Sequence, residues 1–166
     1  MTPLVLYGGI SMGRLYTVEF HNVAVTAQVD FFELTPADDK PVSIAGIELY
    51  QSSDVGDAAE EILDVRVIRG HTTSGSGGAA PTPTPVDPVD AAAGFTAETN
   101  NTTIASVGTV TNVWSGSFNI RTGLQLFLPP EFWIKASQAN TTIVVRLREA
   151  PTDSLSMSGT LLVWEL

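Results

Sequence analysis

Short stretches in which apolar and polar residues alternate run along most of the chain. Residues 14–20 show this pattern, and a period of two is typical of a strand with one buried face. The alternation resumes in the opposite phase at Val23 and Val25. Such a phase change would turn the apolar side chains to the other face unless a residue is inserted. We therefore predict a bulge or bend near His21 and Asn22.

The same pattern recurs at intervals, separated by turn residues such as those of segment 35–41. Gly46 and Gly159 interrupt two of the stretches, and we predict a bulge at the first and a kink at the second. A Thr-rich stretch, 104–118, is predicted as a long strand or a hairpin. About eight to ten strands are expected in all. The others are 29–34, 42–51, 63–68, 124–128, 132–136, 142–149 and 154–166.

Helix signals are few. Residues 57–63 begin with Asp57 as a possible cap, and Glu60 follows three residues later, as in a capping box. A second short candidate is 89–93, after a run of prolines. We predict one or two helical turns in each segment.

The fold class follows from the strand pattern and from the residue types. Thr, Val and Ile make up 45 of the 166 residues, and these β-branched side chains favour pleated surfaces. No alternation of strands with helices is visible, so a parallel α/β sheet is excluded. The predicted fold is all-β: a jelly-roll-like antiparallel β-sandwich in a single domain, 1–166. An immunoglobulin-like sandwich is the alternative.

Segment 71–90 stands apart because three glycines and then four prolines follow His71. Its first half is expected to be flexible and its second half extended. The alternatives are an interdomain linker or disordered loop, and an extended arm that packs on a neighbouring subunit. We interpret it as a long Gly/Pro-rich loop within one domain, and residues 1–13 as an N-terminal arm. The predicted interface residues are His71, Thr72, Pro81, Pro83, Pro85, Pro88 and Trp133.

Composition narrows the function classes. The net charge is −10, which disfavours nucleic-acid binding because phosphates must be neutralised by clustered Lys and Arg. The chain has no cysteine, so disulfides, thiolate metal sites and a cysteine nucleophile are excluded. No apolar run is long enough for a membrane helix, and the first residues lack the basic region of a signal peptide. We expect a soluble protein made without export that binds neither nucleic acid nor membrane.

Two patterns in the sequence resemble a catalytic motif and a metal site. Residues 9–13 match the G-x-S-x-G pattern of a serine hydrolase around Ser11, but a strand pattern follows where that motif requires a helix. His21 and His71 lack the spacing of a metal site. The loop carboxylates considered as ligands of a calcium or magnesium ion are Asp38, Asp39, Asp54, Asp57, Glu60 and Glu61. The expectation is therefore no enzyme activity, no metal and no cofactor.

The aromatic residues and the sequons offer two further readings. The tryptophans and neighbouring phenylalanines are core or interface residues, or else a platform for a sugar: Trp114, Phe127, Phe132, Trp133 and Trp164. The Asn-x-Thr sequons at 100–103 and 140–142 matter only in a glycosylating secretory pathway.

A family resemblance runs through most of the chain. The most distinctive stretch is RGHTTSGSGG at 69–78, and the others are 15–20, 34–42, 51–58, 92–98, 144–147 and 158–161. In these stretches the chain resembles small structural proteins of tailed bacteriophages, of the head decoration (cement) type. The resemblance points to no catalytic residues.

The resemblance implies a virion protein that is made in the host cytoplasm and lies on the outer capsid surface, where a homotrimer binds and braces the major capsid protein. The acidic charge agrees with a place outside the shell, away from DNA. The alternative is a tail, baseplate or head-fibre protein that contacts the host surface and binds a glycan there. A small β-rich hydrolase is the third class.

Overall fold

A computed structural model describes residues 13–53, 56, 60–137 and 141–166. It is all-β, with two antiparallel sheets packed face to face. Sheet A has the order β5-β1-β11-β3-β8, with β9 also paired to β3, and sheet B has the order β6-β2-β10-β4-β7. The strands are β1 (Arg14–Val25), β2 (Asp30–Thr35), β3 (Val42–Gln51), β4 (Ile62–His71), β5 (Thr84–Pro85), β6 (Thr96–Asn101), β7 (Thr111–Asn119), β8 (Leu124–Phe127), β9 (Ile134–Ala136), β10 (Thr142–Leu147) and β11 (Leu155–Glu165).

Eight of these strands form a jelly roll. Strands β1, β11, β3 and β8 face β2, β10, β4 and β7. Along the chain, every connection between successive strands of these eight crosses to the other sheet, except the one from β4 to β7. This is the double Greek key of the jelly roll, and the predicted fold is confirmed. Of the three remaining strands, β5 and β6 come from an insertion, residues 72–110, between β4 and β7, and β9 pairs with β3.

The core lies between the sheets, where the inward side chains of each strand meet. Strand β11 alternates buried and half-buried residues over its whole length, as the period of two predicts. At the centre, the ring of Phe20 lies 6.0 Å from that of Phe31 and 5.2 Å from that of Phe32, measured between centroids. Burying one such ring stabilises the fold by roughly 1.5–3 kcal/mol.

Both predicted bulges are present. The pairing of β1 with β11 shifts register between Phe20 and Val23, and Asn22 there has a φ of 53°, in the left-handed region. In β3, Ala45 is the extra residue, because Ile44 pairs with Val163 and Gly46 pairs with Leu162. The one extra residue in each bulge keeps the apolar residues on both sides of it directed into the core.

Three predicted elements differ from the structure. Residues 60–63 are not helical, and Ile62 starts β4, where it pairs with Asn119; residues 57–59 lie outside the described part. Pairing with β7 overrides the helix propensity of this acidic stretch. Residues 89–93 contain a turn and no helix. The strand expected over 104–118 begins only at Thr111.

The delayed start of β7 has a visible cause. Val107 and Gly108 have φ values of 58° and 91°, which turn the backbone out of an extended path. A Cβ on Gly108 would lie 2.2 Å from the carbonyl oxygen of Gly70, so only glycine fits this close approach.

Candidate functional site: a covered face and an open face

The outer face of sheet B carries a buried carboxylate that holds the start of the insertion. Glu33 is 1% exposed and accepts hydrogen bonds from the Oγ of Ser74 (2.7 Å), the backbone N–H of Gly75 (2.9 Å) and the Nδ2 of Asn101 (3.0 Å). Asn101 also donates to Glu98, the cross-strand neighbour of Glu33. The Gly/Ser-rich half of segment 71–90 is therefore tied to its own sheet at these positions.

A second anchor on the same face is the buried ion pair of Asp30 and Arg146. The guanidinium binds both carboxylate oxygens of Asp30, and its Nη2 lies 2.9 Å from one of them. The same Nη2 donates to the carbonyl of Ala105 at 2.8 Å, while the Ala105 N–H donates to Asp30 at 2.7 Å. A buried pair needs such additional hydrogen bonds to offset the cost of desolvation. Here the backbone of Ala105, which belongs to the insertion, supplies them.

His71 is the last residue of β4 and lies beneath the insertion. The residue is 5% exposed, and neither ring nitrogen has a hydrogen-bond partner. Thr142, its cross-strand partner, also has a buried hydroxyl without a partner. Burial lowers the pKa of His71 and the charge of Arg146 lowers it further, while the Val107 backbone and the carboxylates of Asp30 and Glu33 oppose the shift.

The later part of the insertion closes one end of the sandwich. Phe95 is 2% exposed and packs edge-on against Tyr16, with ring centroids 5.6 Å apart. The Tyr16 hydroxyl donates to the carbonyl of Ala91 at 2.9 Å, and the buried Glu165 accepts from the N–H of Gly94 at 2.6 Å. Burial is the main cause that raises the pKa of Tyr16. The insertion thus contributes a side chain to the core.

The structure distributes the predicted interface residues over three places. His71 is buried under the insertion, and Thr72 beside it is exposed. Of the four prolines, Pro83 is buried, Pro81 and Pro85 are half-buried near the edge of β1, and Pro88 is exposed in a turn. Trp133 lies directly before β9 and stacks on Trp164 of β11, on the outer face of sheet A. These residues do not form one continuous surface, and their role in an interface stays a prediction.

The outer face of sheet A presents apolar side chains instead. Phe127 and Phe132 are 56% and 70% exposed, and the rings of Trp133 and Trp164 stack with centroids 5.3 Å apart. Phe127 and Leu162 both lie over Gly46, where a Cβ would come within 2.9 Å and 3.1 Å of them. We call this surface the aromatic patch. Its residues are Leu15, Phe127, Trp133, Leu162 and Trp164, together with Phe132, which precedes Trp133 in the chain.

The aromatic patch brings together most of the residues that the sequence offered as a sugar platform. Trp114 is the exception, because it lies in β7 of sheet B with its ring over Gly116. Trp133 is half-buried, and its indole N–H donates to the carbonyl of Leu128 at 2.8 Å. Its polar atom is thus already paired within the chain, and its ring remains for apolar contact.

A groove of about 550 Å³ opens where β1 turns into β2. One wall is β1 and the corner that follows, residues 19–29, and the other is residues 77–81 of the insertion. Its apolar lining includes Val23, Ala24, Ala79 and Pro81. The groove is separate from the aromatic patch, because the groove lies beside the later part of β1 and the patch reaches β1 only at Leu15, near its start.

The catalytic and metal alternatives are only partly covered by the structure. Ser11 lies outside the described residues, as do Asp54, Asp57 and the Asn140 sequon position. Within the described ranges, no group of three or more His, Asp or Glu side chains is arranged to hold a metal ion. Over the same ranges, no helix is long and apolar enough to span a membrane.

Comparison with known proteins gives no match among family models, curated proteins or solved structures.

The burial of Asp30 and Glu33 was not predicted from the sequence. Asp30 and Glu33 look like solvent-facing residues of an edge strand, and only the long insertion makes them buried. The one available signal was composition: a Gly/Ser-rich segment offers free backbone N–H groups, and carboxylates bind these well.

Proposed function

We propose that this chain is a capsid decoration protein of a tailed bacteriophage, a homotrimer that binds the outer surface of the major capsid protein. The observation that carries the proposal is the aromatic patch. Exposed aromatic side chains in a continuous surface are typical of protein contacts, and Trp, Tyr and Phe are enriched there. The sequence resemblance supports the same role.

The contrast between the patch and the rest of the surface supports a docking role. Lys135 and Glu48 lie on the same sheet face as the patch, so a polar rim accompanies its apolar centre. The net charge of −10 favours a partner surface that is neutral or basic. It also keeps the decorated surface from binding DNA.

The test combines copy number with a patch variant. Decoration requires on the order of hundreds of copies per particle, because every symmetry-equivalent capsid position offers the same surface. We expect quantitative gel analysis of purified virions to give that number, and Phe132→Ser to lower the occupancy of capsids at least tenfold. A handful of copies, or unchanged occupancy by the variant, would contradict the proposal.

The alternative of a glycan-binding tail, baseplate or head-fibre protein draws on the same patch, because sugar rings pack on exposed aromatic faces. Phe127 and Phe132 provide such faces. Binding on a glycan array that is lost in Trp133→Ala, together with immunolabelling at the tail, would favour this alternative over decoration.

A further inference from the structure

The groove between β1 and the insertion borders a strand edge that is only partly covered. On this side, β5 pairs with β1 at Tyr16 and Thr17, and the N–H of Val86 donates to the carbonyl of Leu15 at 2.9 Å. Beyond Thr17, β1 continues to Val25 with no other described strand beside it. An unpaired edge presents backbone donors and acceptors that an added strand satisfies.

Prolines explain why the insertion itself does not complete the pairing. Pro81 and Pro83 precede β5 and have no N–H to donate to β1. At the same point the chain crosses between the sheets, because Ala79 pairs with Thr99 at the edge of sheet B. The insertion therefore leaves β1, and the groove is the space between them.

The lining of the groove favours an extended occupant with apolar side chains, and Glu19, His21 and Gln28 add polar groups to it. Val23, Ala24, Ala79, Ala80 and Pro81 supply small apolar contacts along its length. A strand edge beside an apolar trough is the arrangement that proteins use to bind a peptide by strand addition: the backbone pairs, and alternate side chains fill the trough.

The wall of the groove also holds an unused hydrogen-bond acceptor. Asn100 is 7% exposed and has a φ of 56°, and its Oδ1 has no partner. Buried polar atoms are nearly always paired, and this unpaired atom belongs to a residue that lines the groove.

We propose that residues 4–7 of a neighbouring copy fill this groove as an added strand, which deepens the proposed homotrimer and rests on it. Residues 4–7 are Leu-Val-Leu-Tyr, and residues 1–12 contain no Asp, Glu, Lys or Arg. In a chain of net charge −10, this is a segment that another copy can bind without charge repulsion.

The route along β1 favours a neighbouring copy over the same chain. The chain enters β1 at Gly13, next to Glu165, which is the end of β1 opposite the groove. A segment returning along the same edge would meet β5 at Tyr16 and Thr17 before it reached the groove. Six to nine residues separate Gly13 from residues 4–7 and span at most about 20–30 Å, enough to cross to an adjacent subunit.

Disulfide trapping tests the proposal, because the chain has no cysteine of its own. Full-length Leu6→Cys and Ala24→Cys chains, with tags of different mass, are mixed and mildly oxidised. We expect a mixed disulfide between the two chains, several-fold above a control mixture of Leu6→Cys with Ile62→Cys. Ile62 is 61% exposed and lies at the β7 edge of sheet B, away from the groove.

Two further arms decide between the outcomes. A chain with both Leu6→Cys and Ala24→Cys should form covalent oligomers; an internal disulfide in a monomer would show that the segment binds its own chain and would overturn the proposal. Leu6→Asp should weaken association in sedimentation velocity, and unchanged association would also overturn it. These measurements use purified protein without capsids, so the strand exchange can be disproved while the copy number in virions still supports decoration. Equally, a low copy number would contradict decoration without affecting the result of the disulfide trapping.

Discussion

The outer faces of the two sheets differ: that of sheet B is polar and covered by the insertion, and that of sheet A carries exposed apolar side chains. On sheet B, the insertion covers a polar face, and the contacts are charged: Asp30 with Arg146, and Glu33 with Gly75. On sheet A, the apolar faces of Phe127 and Phe132 stay exposed. The covered face therefore depends on electrostatics within the chain, whereas the open face offers hydrophobic contact to another molecule.

The difference follows from how each interaction depends on its surroundings. A carboxylate that loses water must gain hydrogen bonds from a nearby donor, and segment 72–110 is always present because it is covalently attached. An exposed aromatic ring loses little by staying in water, and it gains when a partner covers it. The fold can therefore be stable with these aromatic rings exposed, before any partner binds to them.

Breaking the anchor of the covered face should have the largest effect on stability. Arg146→Met leaves Asp30 buried without its counter-ion and removes the donor to the Ala105 carbonyl. We expect the free energy of unfolding, measured by urea denaturation, to fall by about 3–5 kcal/mol. The matched control is Arg148→Met, whose pair with Asp64 is exposed on both sides and should cost less than about 1 kcal/mol. Equal losses in the two variants would show that the buried pair does not hold the insertion.

How far the sequence predicts this architecture depends on the range of the interactions. The bulge at Gly46 and the alternation of β11 were predictable, since both are written in neighbouring residues. The burial of Asp30 was not, because it requires Ala105, 75 residues later in the chain. The stacking of Trp133 on Trp164 likewise joins two strands whose neighbours are set by the whole topology.

The wrong helix prediction has the same cause. Asp57 and Glu60 form a local capping signal in the sequence, yet Leu63 and Val65 pair with Phe118 and Gly116 in sheet B. A short helix gains little by itself in water, whereas a strand in a sheet gains pairing and a buried face. Tertiary pairing therefore decides this segment.

Acidification should weaken the covered face by a smaller amount. The pKa of His71 in the folded chain is lowered from about 6.5, so the unfolded chain takes up a proton at this site first as the pH falls. The contribution to stability is present above about pH 6.5 and is lost as the pH falls from there toward the folded pKa. The charges that face the ring are Arg146, Asp30 and Glu33, and protonation would place a cation beside Arg146.

Urea denaturation between about pH 7.5 and 5.5 measures this effect, since ordinary carboxyl groups stay ionised over that range. We expect His71→Gln to lose part of the decline in stability on acidification. The exposed His21 provides the matched control, and His21→Gln should keep the wild-type decline. A parallel decline in wild type and His71→Gln would rule out His71 as the titrating group.

Changes on the open face should affect folding least. Phe132 is 70% exposed, and Phe132→Ser should change the free energy of unfolding by no more than about 0.5 kcal/mol. The same variant should lose at least about 1.4 kcal/mol of capsid binding, which is the tenfold drop in occupancy expected above. Val89→Ser is the control for lost apolar surface, because Val89 is 86% exposed but lies on the insertion. It should leave both quantities unchanged. If Phe132→Ser instead destabilised the fold and left binding intact, the patch would belong to the core of the sandwich, and the contrast between the two faces would fail.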